Sequence, residues 1–137
     1  MTTETRGRLR FVDFSIERLS SGECRARVVL AWPGETAFVG EATGLSSQAG
    51  ELRCAAHACL FALATAFPAA AFDLVGVKAV RAFDATVVIA SLATQGRLDG
   101  PRIVGSALVQ EDVPRGAALA VLNATNRLMT GSTEGRR

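Results

Sequence analysis

One segment of this chain occurs twice. Residues 55–67 align with residues 117–129, and four alanines and one leucine coincide in the two copies. A short extended segment with a central glycine precedes each copy, at 38–42 and at 103–107. A repeat of about 60 residues is one supersecondary unit used twice, and a unit that cannot cover its own apolar face packs on its copy. The duplication therefore predicts a fold of two related halves.

The first copy combines three strand signals with one helix signal. Apolar and polar residues alternate over 8–19, 24–32 and 36–43, and turn residues separate these segments. From Ser46 or Ser47 to Phe67, apolar residues recur at three- and four-residue steps, with a serine as N-cap and Pro68 just beyond the end. This pattern predicts three antiparallel strands followed by a helix.

The second copy repeats this order. Strand signals cover 72–82, 86–94 and 102–110, and Asp112 then precedes a helix that we expect to end near Met129, before Gly131. The predicted fold class is α+β, with a βββα unit used twice in a single domain over 1–137. Repeat one covers about 8–70 and repeat two about 71–131, with frayed ends at 1–5 and 132–137. We expect Gly40 and Gly105 to be equivalent positions where a helix approaches its strand closely.

The first helix is apolar on more than one side. Besides its core stripe it carries Ala58, Phe61 and Ala62 on the opposite side, and a helix that is apolar most of the way round is covered on more than one side. We therefore expect a homodimer or higher homo-oligomer with these three residues in the interface. Asn123 and Asn126 form a polar edge on the second helix and are further interface candidates; alternatively, they are solvated or form a helix-to-helix hydrogen bond.

Composition argues against several classes of protein. The net charge is only +2, the first ten residues are too polar for a signal peptide, and the longest apolar run is too short to span a bilayer. We expect a cytoplasmic protein. The three cysteines are odd in number and lack metal-ligand spacing, which is typical of buried free thiols.

Nucleic-acid binding and catalysis both lack support. The arginines of the first hairpin are interleaved with acidic residues, and the chain has no tyrosine and no aromatic ladder for stacking bases. It has one histidine, His57, and no serine, cysteine or carboxylate motif to partner it. We therefore expect a protein that is not an enzyme, with no catalytic residues, no metal and no cofactor.

The second half resembles a known family. The segments 74–80 and 84–89, Gly105 near the end of the last strand, Asp112 at a helix start and the helix 117–128 with its Leu-Asn-Ala-Thr-Asn-Arg-Leu run carry the resemblance. They are similar to the C-terminal regulatory and dimerisation domain of 2-isopropylmalate synthase and its relatives, which is also built of two βββα units. The catalytic barrel of those enzymes has no counterpart in this sequence, so we expect a stand-alone module without the condensation reaction.

The resemblance implies a site for a small effector. In the enzymes the domain dimerises and holds a feedback effector such as leucine, and Gly105, Ser106, Ala107 and Asp112 are the corresponding candidates here. Asp112 is expected to receive the amino group while free N–H groups of the helix start bind the carboxylate; alternatively, it is an ordinary N-cap. We expect a non-catalytic dimerising regulatory module that binds an amino-acid-like metabolite and signals to a protein partner. The alternative is a structural scaffold with no small ligand.

Overall fold

Two βββα units build the fold. The computed structural model describes residues 8–68, 71–96 and 99–134, with side chains described as far as Asn126. The first unit contains β1 (Arg10–Arg18), β2 (Glu23–Ala31), β3 (Ala37–Leu45) and α1 (Gln48–Ala66). The second contains β4 (Phe72–Ala82), β5 (Ala85–Thr94), β6 (Ile103–Val109) and α2 (Val113–Glu134). The predicted α+β fold and its internal repeat are confirmed.

Each unit forms its own antiparallel sheet of three strands. The strand orders are β1-β2-β3 and β4-β5-β6, so β2 and β5 are central. The first strand of each sheet has an irregularity in its register, at Val12 in β1 and at Val75 in β4. Both irregularities fall at the same place in the repeat and at the same residue type. The duplication therefore extends to the local bulges as well as to the order of the elements.

The two helices form a middle layer between the two sheets. Helix α1 packs on β2 and β3, α2 packs on β5 and β6, and the helices contact each other. In addition α1 contacts β4 of the other sheet, and α2 contacts β1. One continuous core joins the units, with Val28 and Leu30 of β2 and Val88 and Leu92 of β5 fully buried. The additional cover that the sequence predicts for α1 is therefore provided inside the chain, by α2 and β4.

Two glycines allow the helices to lie close to their sheets. A Cβ atom at Gly40 would overlap backbone atoms of Ala58 and Ala62 in α1. A Cβ atom at Gly105 would overlap the backbone of α2 at the equivalent turn. The expected equivalence of the two glycines is confirmed, and it brings each helix into contact with the backbone of a strand.

The helix starts agree with the sequence, whereas the end of α2 does not. The Ser47 side chain accepts a hydrogen bond from the Gly50 amide (3.0 Å), which caps α1. Helix α2 continues to Glu134, beyond the expected end near Met129. That prediction was wrong because a glycine such as Gly131 inside a helix costs only about 1 kcal/mol relative to alanine, and no proline follows it. Of the expected frayed ends, 1–5 and 135–137 lie outside the described residues, whereas 132–134 belong to α2.

We predict that Gly105→Val and Gly40→Val each lower the free energy of unfolding by about 1–3 kcal/mol, because the added side chain forces the helix away from the sheet. Gly76→Val is a matched control, since a Cβ atom at Gly76 in β4 meets no atom within 4 Å. Urea unfolding followed by circular dichroism measures all three variants. Equal stability of the Gly105→Val and Gly76→Val variants would contradict the close contact.

Candidate functional site

The four expected effector residues do not share one surface. Gly105 faces α2 about two turns from the start of that helix, and Ala107 is half-buried against the core. Ser106 lies between them on β6 and is exposed on the opposite face of the strand, as the alternation of a strand requires. Asp112 is exposed at the start of α2. The prediction treated closeness along the chain as closeness in space.

Asp112 acts as a helix cap. Its Oδ1 atom accepts a hydrogen bond from the Arg115 amide (3.4 Å), and its carbonyl oxygen accepts one from the Gly116 amide (3.2 Å). This is the arrangement of an ordinary N-cap, in which a side-chain oxygen satisfies one of the free amides of the first turn. The local geometry therefore agrees with the capping alternative for this residue.

The five expected interface residues divide into buried and exposed ones. Ala58, Ala62 and Asn126 are buried, and the Asn126 side-chain amide donates to the Leu9 carbonyl oxygen (3.1 Å). These three residues are packed inside one protomer, which corrects their placement on an interface between protomers. Phe61 is 52% exposed, and Asn123 is also exposed.

Asn123 ties α2 to the neighbouring edge strand. Its side-chain amide donates a hydrogen bond to the Ser106 carbonyl oxygen on β6 (2.8 Å). Asn123 bonds to the backbone of β6 and Asn126 bonds to the backbone just before β1, so neither makes the helix-to-helix bond that was the alternative expectation. The position on α1 that corresponds to Asn123 is occupied by Phe61, which has no hydrogen-bond donor in its side chain.

One side of α1 faces solvent beside β3. Arg53, His57 and Phe61 follow one another at intervals of one turn, and the rings of His57 and Phe61 stack with their centroids 6.3 Å apart. We call these three residues the α1 stripe. A cavity of about 580 Å³ lies between this stripe and the sheet, lined by Arg25, Glu41, Ala42, Thr43, His57 and Phe61. Burial and the nearby Arg53 guanidinium lower the pKa of His57, which favours the neutral imidazole at pH 7.

The outer faces of the two sheets differ in chemistry. On the first sheet, Arg25 pairs with Glu17 (3.4 Å) and Arg27 pairs with Glu41 (3.6 Å). On the second sheet, Val80, Val87 and Leu108 are aligned across the three strands. We call this second surface the apolar face, defined by Val80, Val87, Ile89, Val104 and Leu108.

Four of the five residues of the apolar face are exposed and Val87 is half-buried, and the sequence patterns did not predict this patch. Leu108 is 69% exposed, and Phe83, in the turn beside Val80 and Val87, is fully exposed. The missing information was the register, because an apolar run such as that of β5 is equally typical of a strand buried on both faces. A comparison of the two copies position by position contains the signal, since Arg25 and Arg27 correspond to Val87 and Ile89.

The cysteine thiols are not placed for nucleophilic chemistry. All three are free and buried. Burial raises the pKa of Cys54 to about 11 and raises that of Cys59 as well, so both thiols stay protonated near neutral pH. Among the side chains described for residues 8–68, 71–96 and 99–126, no three histidine, cysteine or acidic groups converge as a metal site would require.

One ion pair anchors the start of α1. The buried Glu51 carboxylate accepts two hydrogen bonds from the Arg18 guanidinium, both 2.8 Å long, and a third from the Ser46 hydroxyl (2.8 Å). These bonds, the Arg18 ones foremost, hold the pKa of Glu51 below its ordinary value despite its burial. The pair connects the end of β1 to the first turn of α1 and therefore has a structural role.

Comparison with known proteins leaves the family open. Neither the family models nor the curated proteins include one that matches this chain. In the part of the chain that the structure describes, no helix combines the length and apolarity needed to cross a membrane.

The Glu51 pair predicts a specific acid sensitivity. Because the pKa of Glu51 is lower in the folded protein than in the unfolded chain, its contribution to stability is present above the unfolded pKa of about 4.3 and is lost as pH falls through the folded value. We predict that Glu51→Gln makes the free energy of unfolding less dependent on pH below about pH 5. Glu23→Gln, at an exposed position of β2, is the control. Parallel pH profiles for wild type and Glu51→Gln, measured by urea unfolding, would contradict this role.

Proposed function

We propose that this chain is a non-catalytic assembly module that binds an apolar surface of a protein partner through the apolar face. The observation that carries the proposal is the contrast between the outer faces of two sheets with the same architecture. The pairing of Val28 with Gly40 and of Ala90 with Gly105 aligns the two sheets. The same register places Arg25 and Arg27 in ion pairs on one outer face and Val87 and Ile89 at the corresponding positions on the other. The fold itself therefore does not require apolar residues at these central positions.

Exposure of such an apolar face to water is unfavourable unless a partner covers it. Large contiguous apolar patches on a protein surface mark interaction sites, whereas single exposed apolar residues need no explanation. Val80, Val87 and Leu108 are cross-strand neighbours. Ile89 continues the patch on the central strand, between Lys78 and Ser106, and Val104 lies diagonal to it. Their burial by a partner would recover about 25 cal/mol for each Å² of apolar surface removed from water.

Phe83 adds to this patch at its corner. It is fully exposed and has a φ of +59°, a conformation that bulky side chains rarely adopt and that costs about 1–3 kcal/mol. A fully exposed aromatic ring in a strained turn gains nothing within the protomer. Contact with a partner would bury the Phe83 ring, and the energy gained would offset the cost of its backbone conformation.

The scaffold role is favoured over metabolite sensing because the four expected effector residues lie on different surfaces and Asp112 is occupied as a cap. A thermal-shift assay with leucine, other amino acids and keto acids at millimolar concentration separates the two roles. The assembly proposal expects no shift. A ligand-induced rise in melting temperature that Asp112→Ala abolishes would establish the metabolite role instead.

We predict that Leu108→Lys weakens partner binding at least tenfold while leaving the folded protein intact, because it places a charge at the centre of a dry contact. A photoreactive amino acid at Ile89 identifies the partner in cells, and the same group at Ser15, on the outer face of the first sheet, is the control. The affinity of the purified pair is then measured with and without Leu108→Lys. Equal cross-linking from both faces, or an unchanged affinity, would contradict the proposal.

A further inference from the structure

The outermost strands of the two sheets differ in how their free edges are protected. An outermost strand presents unpaired backbone N–H and C=O groups, which proteins protect by bulges, charges or covering groups. Strands β1 and β4 carry bulges, and the edge of β6 is covered by the bond from Asn123 to the Ser106 carbonyl. Within the described residues, β3 pairs with β2 without a bulge, and Phe61 takes the place of the covering asparagine.

The backbone groups that β3 presents follow from its register. The Ser46 amide donates a hydrogen bond to the Gly22 carbonyl oxygen (2.9 Å). Gly22 and Ser46, which continue the pairing of β2 with β3 by one residue, are therefore a hydrogen-bonded pair. Hydrogen-bonded and non-hydrogen-bonded pairs alternate along antiparallel strands. The Ala26–Ala42 pair is therefore hydrogen-bonded, and Glu41 and Thr43 direct their N–H and C=O groups away from β2.

The α1 stripe runs beside this edge in the opposite direction. Gly40 lies over Ala58 and Ala62, whereas Gly44 lies near Cys54, whose Sγ would be 3.9 Å from an added Cβ. Ala42 therefore lies level with the helical turn that contains His57. The edge and the stripe enclose the cavity described above, so one occupant can contact both.

We propose that a second copy of this chain occupies this edge, with β3 pairing antiparallel to β3 of the partner subunit and Ala42 opposite the partner's Ala42. The β1-β2-β3 sheets of the two copies then join into one sheet of six strands. The α1 stripes of the two copies face each other across a two-fold axis. This contact lies on a different strand edge from the apolar face and does not depend on the partner proposed for that face.

The charge of Glu41 favours one register for the pairing of β3 with β3 of the partner subunit. With Ala42 at the axis, each Glu41 lies opposite the partner's Thr43, and the free N–H and C=O groups of both residues pair across the interface. A shift that places Glu41 opposite the partner's Glu41 sets two like charges directly across from each other, which is destabilising. A two-fold contact uses the same surface on both copies, so one strand must be compatible with itself.

The α1 stripe is self-complementary in the same register. Because His57 lies level with the axis, Phe61 of each copy is brought towards the partner's Arg53. A guanidinium over an aromatic ring is favourable, by about 0.5–2 kcal/mol depending on burial. The chain already contains this contact at the equivalent helix position, where the Arg115 guanidinium lies 4.9 Å from the centroid of the Phe11 ring.

Light scattering and sedimentation equilibrium test the assembly. We expect wild type to be a dimer at micromolar concentrations and Phe61→Asn to raise the dissociation constant at least tenfold, because the new amide covers the Glu41 carbonyl as Asn123 covers that of Ser106. Leu108→Lys is the matched control and should leave the dimer unchanged, which separates this proposal from the apolar face. A monomeric wild type at about 100 μM, or a dimer indifferent to Phe61→Asn, would overturn the proposal.

Disulfide trapping tests the register independently of the stability of any variant. Hydrogen-bonded cross-strand neighbours have Cα atoms about 5.5 Å apart, within the range that a disulfide bridges. Under mild oxidation the Glu41→Cys/Thr43→Cys double variant should form a covalent dimer, whereas neither single variant should. Covalent dimer from Glu41→Cys alone would place Glu41 at the axis and overturn the proposed register.

Discussion

The close contact of each helix with a glycine of its own sheet is the constraint on which the rest of the structure depends. At Gly40 and Gly105 the helix backbone lies against the strand backbone, so residues at the contact must be small, and the facing positions are alanines. Small residues bury little surface each, and these helices therefore need cover on several sides. The second sheet and the neighbouring helix provide it, which explains a middle layer of helices between two thin sheets.

Most of the fold was predictable because it follows from local periodicity. The change from a two-residue to a three- and four-residue pattern locates the helices, Ser47 and Asp112 cap them, and the repeat relates Gly40 to Gly105. The end of α2 was not predictable, because the cost of one glycine is small compared with the packing of the rest of the helix. The element that covers the second side of α1 was not predictable either, since periodicity identifies an apolar side but not its neighbour.

The sequence predicted the candidate sites less well than it predicted the fold. Gly105, Ser106 and Ala107 are adjacent in the chain, but a strand sends consecutive side chains to opposite faces, and Asp112 lies about two turns from the level of Gly105. The apolar face was not predicted for the opposite reason, namely that residues far apart in the chain are close together in the sheet. Its members are scattered over three strands and become neighbours only through the register. The comparison of Arg25 and Arg27 with Val87 and Ile89 is the one sequence signal that separates the two outer faces.

The hydrogen bond from Asn126 to the Leu9 carbonyl joins the second helix to the residue just before the first strand (3.1 Å). The strands of each sheet are consecutive in the chain, so each sheet can form from local contacts, which are fast. The helix layer is different, because β1 receives part of its cover from α2, which follows both sheets in the chain. The first βββα unit therefore exposes apolar surface until α2 has been synthesised and has packed against it. A chain cut between the two repeats leaves part of the core of each half uncovered.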